Sequence, residues 1–304
     1  MIDFIAFNVI IDDIVFPDGK TSMGVLGGGG PQTAFGMCLW GASVGLAAGV
    51  GPDLPPAALE QLEGWGLDLA GLRRSDLPTP RAWQAMEPDG HRTQVWRVPP
   101  DVIGAQLAHR IDLLPPAYRR AKGFHLGVHP LEPDLDFITA LRAAGAVASV
   151  EPFKPADRLP TPDELRRLLA ACDLFSPNLE EAVSLVGSGA PEKLVARLLR
   201  QGATRVALHL GVEGSLVGEG SGRPVHIPAV PVKGIDPVGA GNAYCGGLLA
   251  GFVQTGSLVR AACMASVSAS FLVEQVGCPA SLDEDTRAEA VRRLQALELK
   301  LNEQ

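Results

Sequence analysis

Asp236-Pro237-Val238-Gly239-Ala240-Gly241-Asn242-Ala243-Tyr244-Cys245-Gly246-Gly247 is the stretch on which the reading of the chain turns. Its small residues open a long helical pattern over 240–254 that is rich in Ala, Gly and Cys and suited to close packing inside a protein. The first N–H groups of a helix have no intrahelical acceptor, and the helix dipole adds positive potential there. Gly239, Ala240 and Gly241 carry no side chain that would hold a phosphate away, so the loop is a competent anion hole. The same residues also suit a Gly-rich turn that merely lets two helices approach.

Working outward, short apolar runs alternate with helical patterns. Strands are predicted over 4–11, 44–50, 123–128, 146–150, 174–176 and 205–210, several of them apolar on both faces. Between them lie helical patterns at 32–40, 57–64, 135–144, 163–170, 179–186 and 192–200. This alternation indicates βαβ units and a doubly wound α/β sandwich. Two stretches break it: 81–87 and 92–98 flank Pro88-Asp89-Gly90-His91, a hairpin turn signal, and 12–26 reads as extended around Pro17-Asp18-Gly19. They predict a small β-lid, from about 12–26 and 79–98, on a single domain spanning 1–304. Downstream, 258–273 is a second helix of small residues. An amphipathic helix over 283–301 has acids early and bases late, matching its dipole.

The 304 residues are 46% hydrophobic and 20% charged, which excludes a disordered or fibrous chain. A net charge of −8 argues against nucleic acid or an anionic membrane as the main partner. No apolar run reaches the roughly 18 residues of a membrane span. The five cysteines (Cys38, Cys172, Cys245, Cys263, Cys278) form no C-x-x-C and read as core thiols of a reducing, cytoplasmic compartment. Met1-Ile2-Asp3-Phe4 has no basic lead-in, so no secretory leader is expected.

The motif Asp-Pro-x-Gly-Ala-Gly-x-Ala-Tyr resembles the C-terminal signature of the ribokinase-like (PfkB) sugar kinases. In that family an Asp follows Gly-Ala-Gly and acts as general base; here the residue is Asn242. Upstream, Gly27-Gly28-Gly29-Gly30-Pro31-Gln32-Thr33-Ala34, followed by Gly41 and Gly51, is similar to the family's first signature, with Gln32 in place of Asn. Asn8 follows the first strand. Asp12 stands where the family's substrate-binding Asp lies, with Asp13 as its rival. Pro177-Asn178-Leu179-Glu180-Glu181 resembles the Asn-x-x-Glu motif that organises Mg²⁺ and phosphates, and it is equally a capping box. His209-Leu210-Gly211-Val212-Glu213-Gly214 resembles Thr-x-Gly-x-x-Gly, with His209 replacing Thr. Glu151-Pro152 with Lys154 resembles an Asp-Pro-x-x-Arg region, where Lys154 faces either phosphate or solvent.

The resemblance spans nearly the whole chain in family order. It implies a ribokinase-like αβα sandwich and transfer of the ATP γ-phosphoryl to a hydroxyl of a sugar or sugar-like molecule. It places substrate on Asp12, Gly28 and Gln32, and nucleotide along Asn178, Glu181, His209, Gly211 and Gly214. Amides from Gly239 through Asn242 would hold the migrating charge. Glu181 would hold Mg²⁺ through water, and Asp236 with Val238 a monovalent cation such as K⁺. Lid edges imply a homodimer. Trp83, Trp96 and His129 are in reach of a ligand, or else pack the lid and core. A carboxamide at 242 has no useful basicity, and loss of a general base slows such reactions by about 10²–10⁴. That leaves a kinase in which water or another carboxylate serves as base, a weak or inactive pseudokinase that binds nucleotide or a small molecule as a sensor or interaction subunit, an engineered Asp→Asn variant, or a different chemistry in the same cleft.

Overall fold

The computed structural model describes residues 1–87 and 92–303. Among the described residues the strands are β1 (Phe4–Phe7), β2 (Ile10–Val15), β3 (Thr21–Gly27), β4 (Val44–Val50), β5 (Leu72–Arg74), β6 (Arg81–Met86), β7 (Arg92–Trp96), β8 (Gly123–Val128), β9 (Val147–Pro152), β10 (Leu174–Phe175), β11 (Arg205–His209), β12 (Ser215–Glu219) and β13 (Val225–Ile227). The helices are α1 (Gly29–Cys38), α2 (Pro56–Gly64), α3 (Pro100–Gln106), α4 (Leu135–Ala143), α5 (Pro162–Ala170), α6 (Leu179–Val186), α7 (Pro191–Arg200), α8 (Ala240–Thr255), α9 (Leu258–Val273) and α10 (Glu284–Asn302).

Nine strands form one sheet in the order β13-β12-β11-β10-β9-β8-β1-β4-β5. Pairing is parallel from β11 to β5 and antiparallel at the β12–β13 edge. Each face carries its own apolar core. One is built with α1, α2, α8, α9 and α10, the other with α4 through α7. The doubly wound reading therefore holds, and the carboxyl ends of the parallel strands gather the loops where ligands of such sheets bind.

The predicted strand over 4–11 is two strands. At Asn8 the backbone takes φ of 73°, β1 ends, and β2 leaves for another sheet. Both halves are buried, so the apolar run is continuous and hides the turn. The short elements α3, β5, β12 and β13 carried too little periodicity to be read.

The second sheet runs β3-β2-β6-β7, with β2 and β6 parallel and the two outer pairings antiparallel. It is drawn from the two stretches that break the sequence alternation. Gly19, at φ 81°, turns the first hairpin; the turn read at Pro88-Asp89-Gly90-His91 lies outside the described residues. Every residue of β7 is exposed.

Helices α1 and α8 meet more closely than side chains allow. A Cβ on Gly36 would lie 2.2 Å from the Ala243 carbonyl oxygen, and one on Gly246 would lie 2.1 Å from that of Thr33. This contact sets the two helix N-termini side by side. All five cysteines are free and buried, as expected of core thiols. Among the described residues no helix is long and apolar enough to cross a membrane.

Candidate active site

At the α1–α8 junction Gln32 and Asn242 touch each other. Asn242 Nδ2 donates to Gln32 Oε1 at 2.7 Å. Gln32 is buried, and its side chain packs against Gly239, where a Cβ would lie 2.3 Å from the Gln32 carboxamide carbon. Gly239 is the α8 N-cap in the left-handed region, with φ 83°, so a side chain there is disfavoured twice over. The Asn242 Oδ1 faces α1, 3.3 Å from where a Cβ on Gly29 would sit.

The anion hole differs in detail from the expectation. The Ala240 amide donates to the Pro237 oxygen at 3.2 Å, so it is not among the open donors. Among the described residues, the amides of Gly239, Gly241 and Asn242 have no hydrogen-bond acceptor. Three backbone donors therefore remain at the end of a 16-residue helix.

Asp12 and Asp13 meet different partners on β2. Asp13 points to a cationic pair: Arg81 donates through Nε and Nη2, both at 2.7 Å, Arg97 Nη1 also donates, and the Gly24 amide adds a fourth bond. Burial pushes the Asp13 carboxyl up, but these donors outweigh it and hold the group at about 2. Asp12 points the other way and accepts from Gln84 Nε2 at 2.7 Å. Burial pushes its carboxyl up to about 6, against the pull of that hydrogen bond. The Asp12 carboxylate abuts Gly27 and draws on the Gly28 amide, next to the α1 N-terminus. Asp12, Gly28, Gln32 and Asn242 are thus linked by contact around one helix end.

Asn178 caps α6. Its Oδ1 accepts from the Glu181 amide, and Glu181 Oε2 accepts from the Asn178 amide, both at 2.8 Å. The capping-box reading is realised. Burial pushes Glu181 up to about 8, with Glu151 and Glu180 adding to it. His209 ends β11, packs on Tyr244 at 4.4 Å between ring centroids, and shares a 2.9 Å hydrogen bond with Ser176. Its Nδ1 lies 3.5 Å from where a Cβ on Gly241 would sit. Burial pushes the imidazole down to about 4, so it is neutral near pH 7. Gly211 and Gly214 hold the following turn with φ of 60° and 91°. Asp236 is buried; its Oδ1 accepts from the Val238 amide at 2.9 Å, while Oδ2 has no partner.

Comparison with known proteins follows this geometry. A family model described as pfkB family carbohydrate kinase matches residues 1–285. The chain belongs to the pfkB family of carbohydrate kinases. It is 31% identical over 257 residues to a cytidine kinase of Thermococcus kodakarensis, covering 83% of this chain and 89% of that protein. A fructokinase of Klebsiella pneumoniae is 28% identical over 270 residues, covering 82% and 83%. Among solved structures, the apo form of a putative ribokinase II from E. coli superposes with a TM-score of 0.78 at 20% identity, covering 97% of this chain and all of that one. The kinase is thus an ATP-dependent phosphotransferase acting on sugar-like small molecules, and membership favours catalysis over the binding-only alternative.

Other side chains named from the sequence fall outside this ring. Lys154 pairs with the exposed Asp157 at 2.8 Å. Trp83 packs under the Arg97 guanidinium, Trp96 is partly exposed on β7, and His129 packs against Phe153. Sequence reading passed over several polar residues beside the candidate site. Gln84, Arg81 and Arg97 share the small sheet with Asp12 and Asp13, and His125 lies beside Glu151. The one available signal for Gln84 was a polar residue at an inward position of a predicted strand.

Proposed function

We propose that the kinase transfers the γ-phosphoryl of Mg-ATP to the primary hydroxymethyl group of a furanose, with a pyrimidine nucleoside as the first candidate. The 31%-identical relative is named a cytidine kinase, and the fructokinase relative acts on another sugar that adopts a furanose ring. The observation that carries the reading is the meeting of the α1 and α8 N-termini at the Gln32–Asn242 pair. In this reading Asp12 accepts hydrogen bonds from ring hydroxyls, and Gly28 lets the sugar approach. Asn242 Oδ1 accepts from the attacking hydroxyl and orients it without removing its proton. Phosphoryl transfer passes through a loose transition state in which positioning and charge neutralisation dominate, so the hydroxyl proton leaves late, to a phosphoryl oxygen or to water, and a base is helpful rather than obligatory. The amides of Gly239, Gly241 and Asn242 stabilise the migrating charge.

The nucleotide would lie along Asn178, His209, Gly211 and Gly214, with neutral His209 as a hydrogen-bonding wall. Magnesium, when bound, neutralises phosphate charge; Glu181, a buried acid with one oxygen outside the cap, fits it through water. The unpartnered Asp236 Oδ2, backed by the Val238 amide on its other oxygen, fits a monovalent cation. The four-stranded sheet would act as a lid over the sugar, and its exposed β7 edge is where a second lid would pair.

The test is ATP consumption with Mg²⁺ against a panel of nucleosides, free sugars and sugar acids, with phosphorus NMR of the product. Expected is turnover on a furanose with phosphate on its primary carbon. Phosphorylation confined to a non-furanose substrate or to a ring hydroxyl would overturn the substrate reading. No turnover and no Mg-ATP binding would overturn the whole proposal.

A further inference from the structure

The proposed chemistry leaves unused a buried cluster behind the α8 N-terminus. We propose that His125, Glu151 and Cys245 form a binding site for one divalent transition-metal ion of the zinc class. The donors come from three elements, β8, β9 and α8, and their ligand atoms all lie within 4.8 Å of one another. His125 Nε2 lies 3.3 Å from Glu151 Oε1, and Cys245 Sγ lies 3.2 Å from Glu151 Oε2. Tetrahedral bonds to zinc of these donor types place donor atoms roughly 3.3–3.8 Å apart. The two spacings about Glu151 are close to that range, and the third lies within 4.8 Å.

The second observation is the state of the imidazole. His125 Nδ1 is taken by Ser149 Oγ at 3.0 Å, which turns Nε2 into the cluster. The His125 side chain is 3% exposed, and Nε2 makes no aligned hydrogen bond, to Glu151 or to anything else described. A second ring nitrogen bonded to a hydroxyl or carboxylate is how metal-binding histidines are oriented. The Cys245 thiol donates its proton to Glu151 Oε2, and a bound cation would take that proton's place. Imidazole, carboxylate and a thiolate together favour zinc or cobalt over magnesium, and three protein donors leave a fourth position open. Cys245 would bind as thiolate, its proton passing to solvent on loading. Because Cys245 follows Asn242 by three residues, the ion would tie the first turns of α8 to the sheet and add positive charge behind the anion hole.

His125 is buried and only the Glu151 side chain, at 14%, reaches solvent, so the ion would enter as the chain folds. The experiment expresses the full chain in medium with cobalt as the added transition metal, then measures metal content and absorption of the purified protein. Expected are one cobalt per chain and a thiolate-to-cobalt charge-transfer band that excess Mg²⁺ does not remove. Cys245→Ser should abolish the band, Cys263→Ser should leave it, and Ser149→Ala should weaken metal retention about 10–100-fold. If Cys245→Ser does not fold, the wild-type spectrum and Ser149→Ala decide. A folded wild-type chain with substoichiometric cobalt and no charge-transfer band overturns the site and leaves a proton between the three donors. Full cobalt with an unchanged band in folded Cys245→Ser would place the metal elsewhere and overturn it equally.

Discussion

The α1–α8 junction and the four-stranded sheet meet where Asp12 abuts Gly27 beside the α1 N-terminus, and they are built on opposite principles. The junction is backbone against backbone: Gly36 and Gly246 remove the side chains between two helices, and Gly239 makes room for the Gln32 amide. Its donors are main-chain N–H groups that cannot move without unpacking a core. The small sheet is held by side-chain charge, with two arginines converging on one buried carboxylate, and its outer strand is solvent-exposed. In the proposed reading, phosphate handling would sit on the part that cannot adjust, and acceptor recognition on the part that can. Local opening draws on elements with few buried contacts, which is the condition of β7.

The sharpest way to break this contrast is at Asn242. Asn242→Asp places a base at a hydroxyl already held by a rigid junction, and phosphoryl transfer should rise by about 10²–10⁴ in an ATP-consumption assay. An unchanged rate on an accepted substrate would mean that another group takes the proton. Asp13→Asn attacks the other region. Removing the charge that Arg81 and Arg97 share should lower stability by about 1–3 kcal/mol in urea melts, with faster hydrogen exchange over 81–86 and 92–96. Exchange accelerated equally in α8 would show that the two regions are one cooperative unit. Gly239→Ala tests the junction without touching charge. A left-handed φ costs a non-glycine residue about 1–2 kcal/mol, and displacement of Gln32 should lower kcat more than it raises the acceptor KM.

The pH dependence should separate neighbouring acids. Asp12 is raised from 3.8 to about 6, so its contribution to folding stability is present below about pH 4 and lost as pH rises through 6. Asp13 is lowered from 3.8 to about 2, so its contribution is present above pH 4 and lost as pH falls toward 2. Melts across pH 2–7 should show Asp12→Asn flattening the upper limb and Asp13→Asn the lower. The acceptor KM should rise below pH 6 as Asp12 protonates. Parallel profiles for the two variants would contradict their opposite environments. The smallest effect is expected at the cap: Asn178→Ala should lower stability by about 1 kcal/mol and raise the KM for ATP, whereas a stability loss with unaltered KM would confine Asn178 to capping.

Much of the site was legible because its chemistry is written in local sequence. The loop at 236–242, the Gly27–Gly30 run and the Asn178–Glu181 spacing are short, and each creates its own backbone geometry wherever it folds. The cap at Asn178 is an example, since its two hydrogen bonds need only residues three apart. The choice between Asp12 and Asp13 was not legible. It depends on the face that each side of β2 meets, and those faces are built by Gln84, Arg81 and Arg97, about 70 residues or more away.

The sequence by itself determined the alternation of elements, the placement of two small-residue helices against one another, and the backbone donors that open α8. These follow from residue size, polarity period and turn chemistry, which act over a few residues. Only the tertiary structure decided that Gln32 and Asn242, 210 residues apart, are a hydrogen-bonded pair. It also decided that the apolar run 4–11 divides between two sheets at Asn8, and that His125, Glu151 and Cys245 converge behind the anion hole. Each of these is a distance set by packing across the sheet, and packing joins residues by shape and burial irrespective of their separation along the chain.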